Sequence, residues 1–488
     1  MFTTNLISLL RTFSAEEFRS FGKFISSPYY NTHRDVIRYY SFLRKFYPSY
    51  SGRGFTRENI FAHIYPGRKY NDNEFQKLNS ALNHLGNQFI MSQHERFNAD
   101  FNLLTQFVER NLSRQFRALY KKVYAYLDKE EGLDNMIYVK KILLITLYIK
   151  FKMNSDDQKD VCENIIERGN YFAYQSLMWI MIQNRDMRTN YNAFNFEYRS
   201  SNANRFIESV DIEKMISGLN FEENRLGRYL KYYVYCILIT LHPEIPEYYE
   251  LFKSSFAGIY NDVNKLEKSN FLSRQQSYIL KKAQSGDLSL LAELLDSYRK
   301  YFRNKEIFEN GIIPMPPFRN SVMVSGCLKD TEFMEELSEK FSSCLFPGYS
   351  EDAKRFSRAC LLFVNGEFEK VLETLSIITL NYAPFKIDVK NLLIKTFYEL
   401  NFTEQMLDLI DSFRHFISGN KMLSGISAQR QLAMIRILKH MAMARSGSGK
   451  TSIERVKKEL NSADLVYIDR LWIDEKIAEL ERNGNRSK

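Results

Sequence analysis

Residues 318–418 repeat themselves. When this stretch is aligned with itself at a shift of 35 residues, apolar positions superpose: Val324 with Ala359 and Ile394, and Leu328 with Phe363 and Tyr398. The turn positions Thr331, Gly366 and Asn401 fall together, as do Leu337, Leu372 and Leu407. A chain that returns to the same pattern every 34 or 35 residues builds one unit again and again. No such unit buries its own apolar face; stacking on its neighbours does that. The central unit has a small residue where two helices cross, Ala359, then Leu362 one turn later. Its turn is Asn365-Gly366-Glu367-Phe368, with Leu375 facing inward and Pro384 after the second helix.

On these residues the segment resembles a tetratricopeptide-like repeat, two helices per unit, over about a fifth of the chain. The fit departs from the family pattern at Val371 and Met406, where a small residue belongs, and at Glu336 in the first unit. The resemblance implies an α-solenoid of helical hairpins whose first helices line a groove for a protein or peptide partner. Polar positions beside the packing residues there are Asp388, Asn391 and Lys395, with Tyr398 as an aromatic anchor, and Ser325 and Lys329 one unit earlier. Ser27-Pro28-Tyr29-Tyr30-Asn31 and the run Tyr65 to Asn71 resemble the opening of large uncharacterised bacterial helical proteins, a likeness that carries no activity with it.

The rest of the chain is expected to be helical too. Only 20 glycines and 10 prolines occur in 488 residues, too few for an all-β protein that turns every ten residues or so. The fold class expected is all-α, with an N-terminal helical domain at 1–95, helical pairs over 96–310, the repeats at 318–418 and C-terminal helices at 425–488. Near the start, Ser14-Ala-Glu-Glu17 forms a capping box, and Phe18, Phe21 and Ile25 follow as a buried stripe. That helix ends before Pro28, and a second runs from Arg34 to Tyr47. Thr56 caps a third helix, and Asn71 opens a fourth with the seam Phe75, Leu78, Leu82, Leu85 and Phe89. Further helices are expected over 113–128, 136–152, 158–184, 222–241 and 265–302. A surface loop is expected at 190–204, where five asparagines and two serines crowd fifteen residues. No helix is expected to cross Pro314-Met-Pro316-Pro317.

Charge is placed unevenly. The net charge is +10, but residues 1–90 alone hold 12 Lys+Arg against 6 Asp+Glu. On the second helix Arg34, Arg38 and Lys45 fall within about 40° of one another at 100° per residue, with apolar residues opposite. Such a stripe suits a polyanion, so the alternative function is a nucleic-acid-binding accessory protein acting through this face. Arg414 to Lys458 carries ten bases opposed only by Glu454, and Glu459 to Glu481 answers with seven acids. Blocks of opposite sign are expected to meet internally.

Catalytic chemistry finds no footing. Ala444-Arg-Ser-Gly-Ser-Gly449-Lys450-Thr451 imitates a phosphate-binding loop, but the lead-in from Gln429 has helical composition where a strand is required. Thr451-Ser-Ile-Glu454 is itself a capping box, so the glycines read as a helix linker. His33, His63, His84 and His94 lack the i, i+4 spacing of a helical metal site. No cofactor or metal is expected. Trp179 and Trp472 read as core residues. The five cysteines are widely spaced, with no CxxC pair, which suits reduced thiols in a cytoplasmic protein. The longest uncharged stretch, Gly169 to Asn184, is 16 residues, short of a membrane span. The expected function is therefore a non-enzymatic interaction scaffold or adaptor.

Overall fold

The computed structural model describes residues 4–93, 96–129, 132–153, 158–193, 197–221, 223–304, 311–379, 383–421, 423–445 and 453–486. Among them are 24 α-helices and no strand, only two isolated bridges, Leu133 with Val263 and Ile313 with Leu345. Two compact units divide the chain, Met1–Val123 and Tyr124–Lys488.

The first unit contains α1 (Asn5–Leu10), α2 (Ala15–Ile25), α3 (Arg34–Leu43), α4 (Arg57–Ile64), α5 (Asp72–Ser92) and α6 (Arg96–Glu109). Helix α7 (Ser113–Lys129) begins in it. The capping box is formed: the Ser14 hydroxyl accepts from the Glu17 amide at 3.2 Å, and the Glu17 carboxylate accepts from the Ser14 amide at 2.7 Å. Thr56 and Asn71 cap α4 and α5 with a single bond each, their side chains accepting from the Asn59 and Glu74 amides. Phe18, Phe21 and Ile25 are buried in one cluster with Val36, Leu43, Ile60, Phe75, Leu82 and Phe89. Two details differ from the sequence reading. Helix α3 ends at Leu43 and tightens into a 3₁₀ turn over Arg44–Phe46. Ahead of α2 the short α1, capped by Thr4, adds Leu6, Ile7 and Leu10 to the core.

The second unit opens with the hairpin of α8 (Ile137–Lys152) and the long α9 (Gln158–Ala193), followed by α10 (Asn202–Ser209), α11 (Ile212–Ser217) and α12 (Arg225–Leu241). The asparagine-rich segment is thus shared: α9 runs through Ala193, and α10 begins at Asn202. Next come α13 (Pro246–Ala257), α14 (Lys265–Gln284) and α15 (Leu291–Arg303). The single helix expected over 265–302 is therefore two. Gly286, at φ 98°, lets the chain reverse between them, and the Asp287 amide returns to the Lys282 carbonyl at 3.0 Å.

The remaining helices are α16 (Met315–Cys327), α17 (Thr331–Glu336), α18 (Pro347–Val364), α19 (Phe368–Ser376), α20 (Ala383–Glu399), α21 (Thr403–Gly419), α22 (Gly425–Arg445), α23 (Ile453–Ser462) and α24 (Tyr467–Arg486). Sequence-adjacent helices pack as pairs: α16 with α17, α18 with α19, α20 with α21. Proline opens α13, α16 and α18, where its missing N–H costs nothing. Three hairpins turn through one motif. Lys329 (φ 54°), Gly366 (φ 79°) and Asn401 (φ 60°) are left-handed. The amide after each reaches back five residues, Asp330 to Ser325, Glu367 to Leu362 and Phe402 to Phe397, all at 2.9 Å. In the first of these hairpins the turn position is thus Lys329 rather than Thr331, which instead opens α17. Val322 therefore takes the place of Val324 as counterpart of Ala359 and Ile394, and all four are buried.

A face lined by the first helices and covered by α24

The six residues expected to line a partner groove lie on α16, on the turn after it and on α20. Lys329 alone is exposed; Ser325, Asp388, Asn391, Lys395 and Tyr398 are buried. Each has a partner within the chain. The Ser325 hydroxyl donates to the Ser321 carbonyl at 2.7 Å. Asp388 accepts two bonds from the Arg319 guanidinium, one of them from Nη2 at 2.6 Å. Asn391 Nδ2 donates to Gln431 Oε1 at 3.0 Å, and Lys395 Nζ donates to Asp469 Oδ1 at 2.8 Å. The Tyr398 ring meets Trp472 edge-on at 5.5 Å and carries the Arg445 guanidinium 5.0 Å from its centroid.

Helices α16 and α22 engage Ser325, Asp388 and Asn391, and α24 lies along the rest of this face against Lys395 and Tyr398. Asp469, Trp472, Ile473 and Lys476 recur at i, i+3, i+4 and i+7, so one side of the helix presents a carboxylate, an indole, an alkyl group and an ammonium. Asp469 takes Lys395. Glu399 of α20 accepts from Trp472 Nε1 at 3.1 Å and from Lys476 Nζ at 2.9 Å. Ile473 and Ile477 join the apolar cluster that holds Ile394, Met434 and Leu438. At the rim, Lys329 Nζ stands 3.7 Å from Glu475. Lys395 and Tyr398 are thus held by α24, Ser325 and Asp388 through α16 and Asn391 by α22, and a partner at this face meets other groups.

Burial governs the electrostatics here. It pushes the Asp388 carboxyl up, against the pull of Arg319. At Lys476 burial pulls the ammonium down, but its bonds to Glu399 and Glu479 outweigh that and its net shift is upward. Charges so placed persist only because each is paired and hydrogen-bonded.

Between α16, α18, α20 and α24 an apolar cleft of about 390 Å³ remains. Met323, Cys327, Cys360, Phe363, Phe368 and Leu392 line it from the hairpins, and Leu471 and Trp472 from α24. Lys329, Glu399, Glu475 and Lys476 border it. Burial pushes the Cys327 thiol up to about 11, so it lines the cleft as a neutral, weakly polar group. Sequence reading missed the α24 side of this site. Its signal was the spacing of Asp469, Trp472 and Lys476, but nothing local says which face those residues meet. A larger open groove of 1350 Å³ lies between α13, α14, α15 and α17, where Arg299 pairs with Asp330, Arg303 with Glu336 and Lys253 with Glu293.

Other expected features fall as follows. Arg34, Arg38 and Lys45 are exposed on α3 and its 3₁₀ extension, with Val36 and Leu43 buried opposite. Arg38 stands 3.6 Å from Asp35 and donates to the Ile64 carbonyl at 3.4 Å. The lead-in to the phosphate-loop lookalike is helix, within α22, while 446–452 lie outside the described residues, as does His94. The oppositely charged blocks meet at Lys457–Glu481 (2.6 Å), Arg430–Asp464 (2.8 Å) and His440–Glu459 (2.7 Å). Trp179, read as core, is 51% exposed. Its side of α9 points away from the buried residues that flank it. Among the described residues no group of three metal-ligating side chains forms, and no helix is long and apolar enough to cross a membrane.

Comparison with protein-family models, with curated proteins and with solved structures finds no match to this chain.

Proposed function

We propose that the chain is a non-enzymatic scaffold or adaptor, an α-solenoid of tetratricopeptide-like hairpins that seats an apolar side chain of a protein or peptide partner beside α24. The carrying observation is the 390 Å³ cleft, walled by three successive hairpins and bordered by charges of both signs. Its volume lies within the range of a site for one anchoring group. Burial of one leucine- or phenylalanine-sized anchor is worth about 1.5–3 kcal/mol, and the rim charges orient the flanking backbone. Helix α24 narrows the face, so the partner enters as a short segment and not as a full helix. The titratable groups on this face are engaged in ion pairs with one another, which suits recognition better than proton transfer. Five unpaired cysteines suit a reducing, cytoplasmic setting.

The test is to fill the cleft. Val364→Trp, at the end of α18 on the cleft wall, with Lys329→Glu at its rim, is expected to release the partner that co-purifies with the wild-type chain while leaving the thermal midpoint unchanged. An unaltered set of partners would remove the cleft from consideration.

A second reading places a polyanion on the N-terminal unit, favoured by the joint exposure of Arg34, Arg38 and Lys45. It predicts nucleic-acid binding that weakens steeply with salt and is lost in Arg34→Glu/Arg38→Glu. No binding at low salt ends it.

A further inference from the structure

Helix α9 bears an apolar stripe that the described residues leave open. Ile165 (44% exposed), Phe172 (65%) and Trp179 (51%) follow one another at seven-residue intervals. Three residues before each of the first two large positions, and before the third, stands a small one: Cys162, Gly169 and Ser176. The combined spacing of three and four is that of a coiled-coil seam, with small residues at one seam position and large residues at the other.

Gly169 gives the stripe its meaning. It sits inside a long helix, where glycine costs about 1 kcal/mol relative to alanine. A Cβ added there meets nothing within 4 Å. Nothing packed against it within the described chain calls for glycine, whereas a second helix lying close on this face does.

We propose that α9 pairs with α9 of a second copy of this chain, antiparallel, about a two-fold axis passing between Asn170 and Tyr171. In that register every large residue meets a small one. Phe172 of one copy lies over Gly169 of the other, Ile165 over Ser176, and Trp179 over Cys162. A parallel in-register pair would set Phe172 on Phe172 and Gly169 on Gly169, crowding one layer and emptying the next. The stripe is therefore self-complementary in the antiparallel sense, as a two-fold interface requires. Three such layers on each side of the axis make the seam about 26 Å long from Cys162 to Trp179.

Light scattering on the full chain is expected to give twice the chain's mass, and Phe172→Glu to halve it with the helical circular dichroism intact. Register is tested by Trp179→Cys. Under mild oxidation it is expected to form a disulfide-linked dimer with the native Cys162 of the other copy, and Cys162→Ser is expected to abolish that dimer. The two positions of one helix are too far apart to bridge internally. A monomer at all concentrations overturns the proposal, as does a dimer that survives Phe172→Glu. Cross-linking of Trp179→Cys that persists without Cys162 also overturns it, because a parallel pair or another face would then be in contact.

Discussion

Lys395 and Asp469 are 8% and 7% exposed, and each is tolerable in the interior only because of the other. Removing one leaves an uncompensated buried charge, whereas replacing both with apolar groups of similar volume relieves the desolvation of each. Asp469→Ala is thus expected to lower stability by about 3–5 kcal/mol in urea titration, and Lys395→Met/Asp469→Leu to recover most of it. Equal losses in the single and double variants would show that the pair is not coupled. Cys236 makes the alkaline counterpart. Burial raises its thiol from 9.0 to about 11, so the folded chain keeps a proton that the unfolded chain has lost. That contribution is complete below pH 9 and disappears as pH rises through about 11. Each tenfold difference in proton affinity between the folded and unfolded chain corresponds to about 1.4 kcal/mol at most. The stability of Cys236→Ala is expected to fall less between these pH values than that of the wild type; parallel curves would rule the thiol out.

At the scale of elements, the hairpin turns expose a rule that residue types obey unequally. Gly366 takes its left-handed conformation without strain, Asn401 with little, and Lys329 against its preference. Lys329→Gly is expected to stabilise the chain by up to about 1 kcal/mol and Gly366→Ala to destabilise it by a similar amount, both read from denaturant midpoints at unchanged slope. A stabilised Gly366→Ala would contradict the turn geometry. Elements with strong local signals were legible: Ser14 and Glu17 placed α2, Thr56 placed α4, and Asn71 placed α5. The misplacements came where local signals compete. The apolar spacing on either side of Gly286 hides the break between α14 and α15. Lys329 carries no turn preference, so Thr331 drew the register two residues along.

Across the whole second unit, the decisive contact is between α24 and the first helices of the hairpins. Glu399 holds both Trp472 and Lys476 there. Hydrogen bonds to a charged group contribute about 1.5–3 kcal/mol, so Glu399→Ala is expected to speed amide exchange of α24 by about ten- to a hundredfold while α21 keeps its protection. Uniform acceleration across both helices would mean that α24 opens only with the rest of the unit.

Helical class, hairpin pairing and the direction of most apolar faces followed from local patterning alone, because a period of 3.6 and a capping side chain act within a few residues. The contents of the expected groove did not. Lys395 and Asp469 are 74 residues apart, and nothing within either helix says that one will bury the other's charge. The same holds for Trp179, whose apolar surroundings in sequence resemble those of a core residue until packing leaves it half exposed on the face of its own chain. Which polar side chains remain available to a partner was settled by the tertiary fold, since desolvation depends on what a second element covers and not on the residue that is covered.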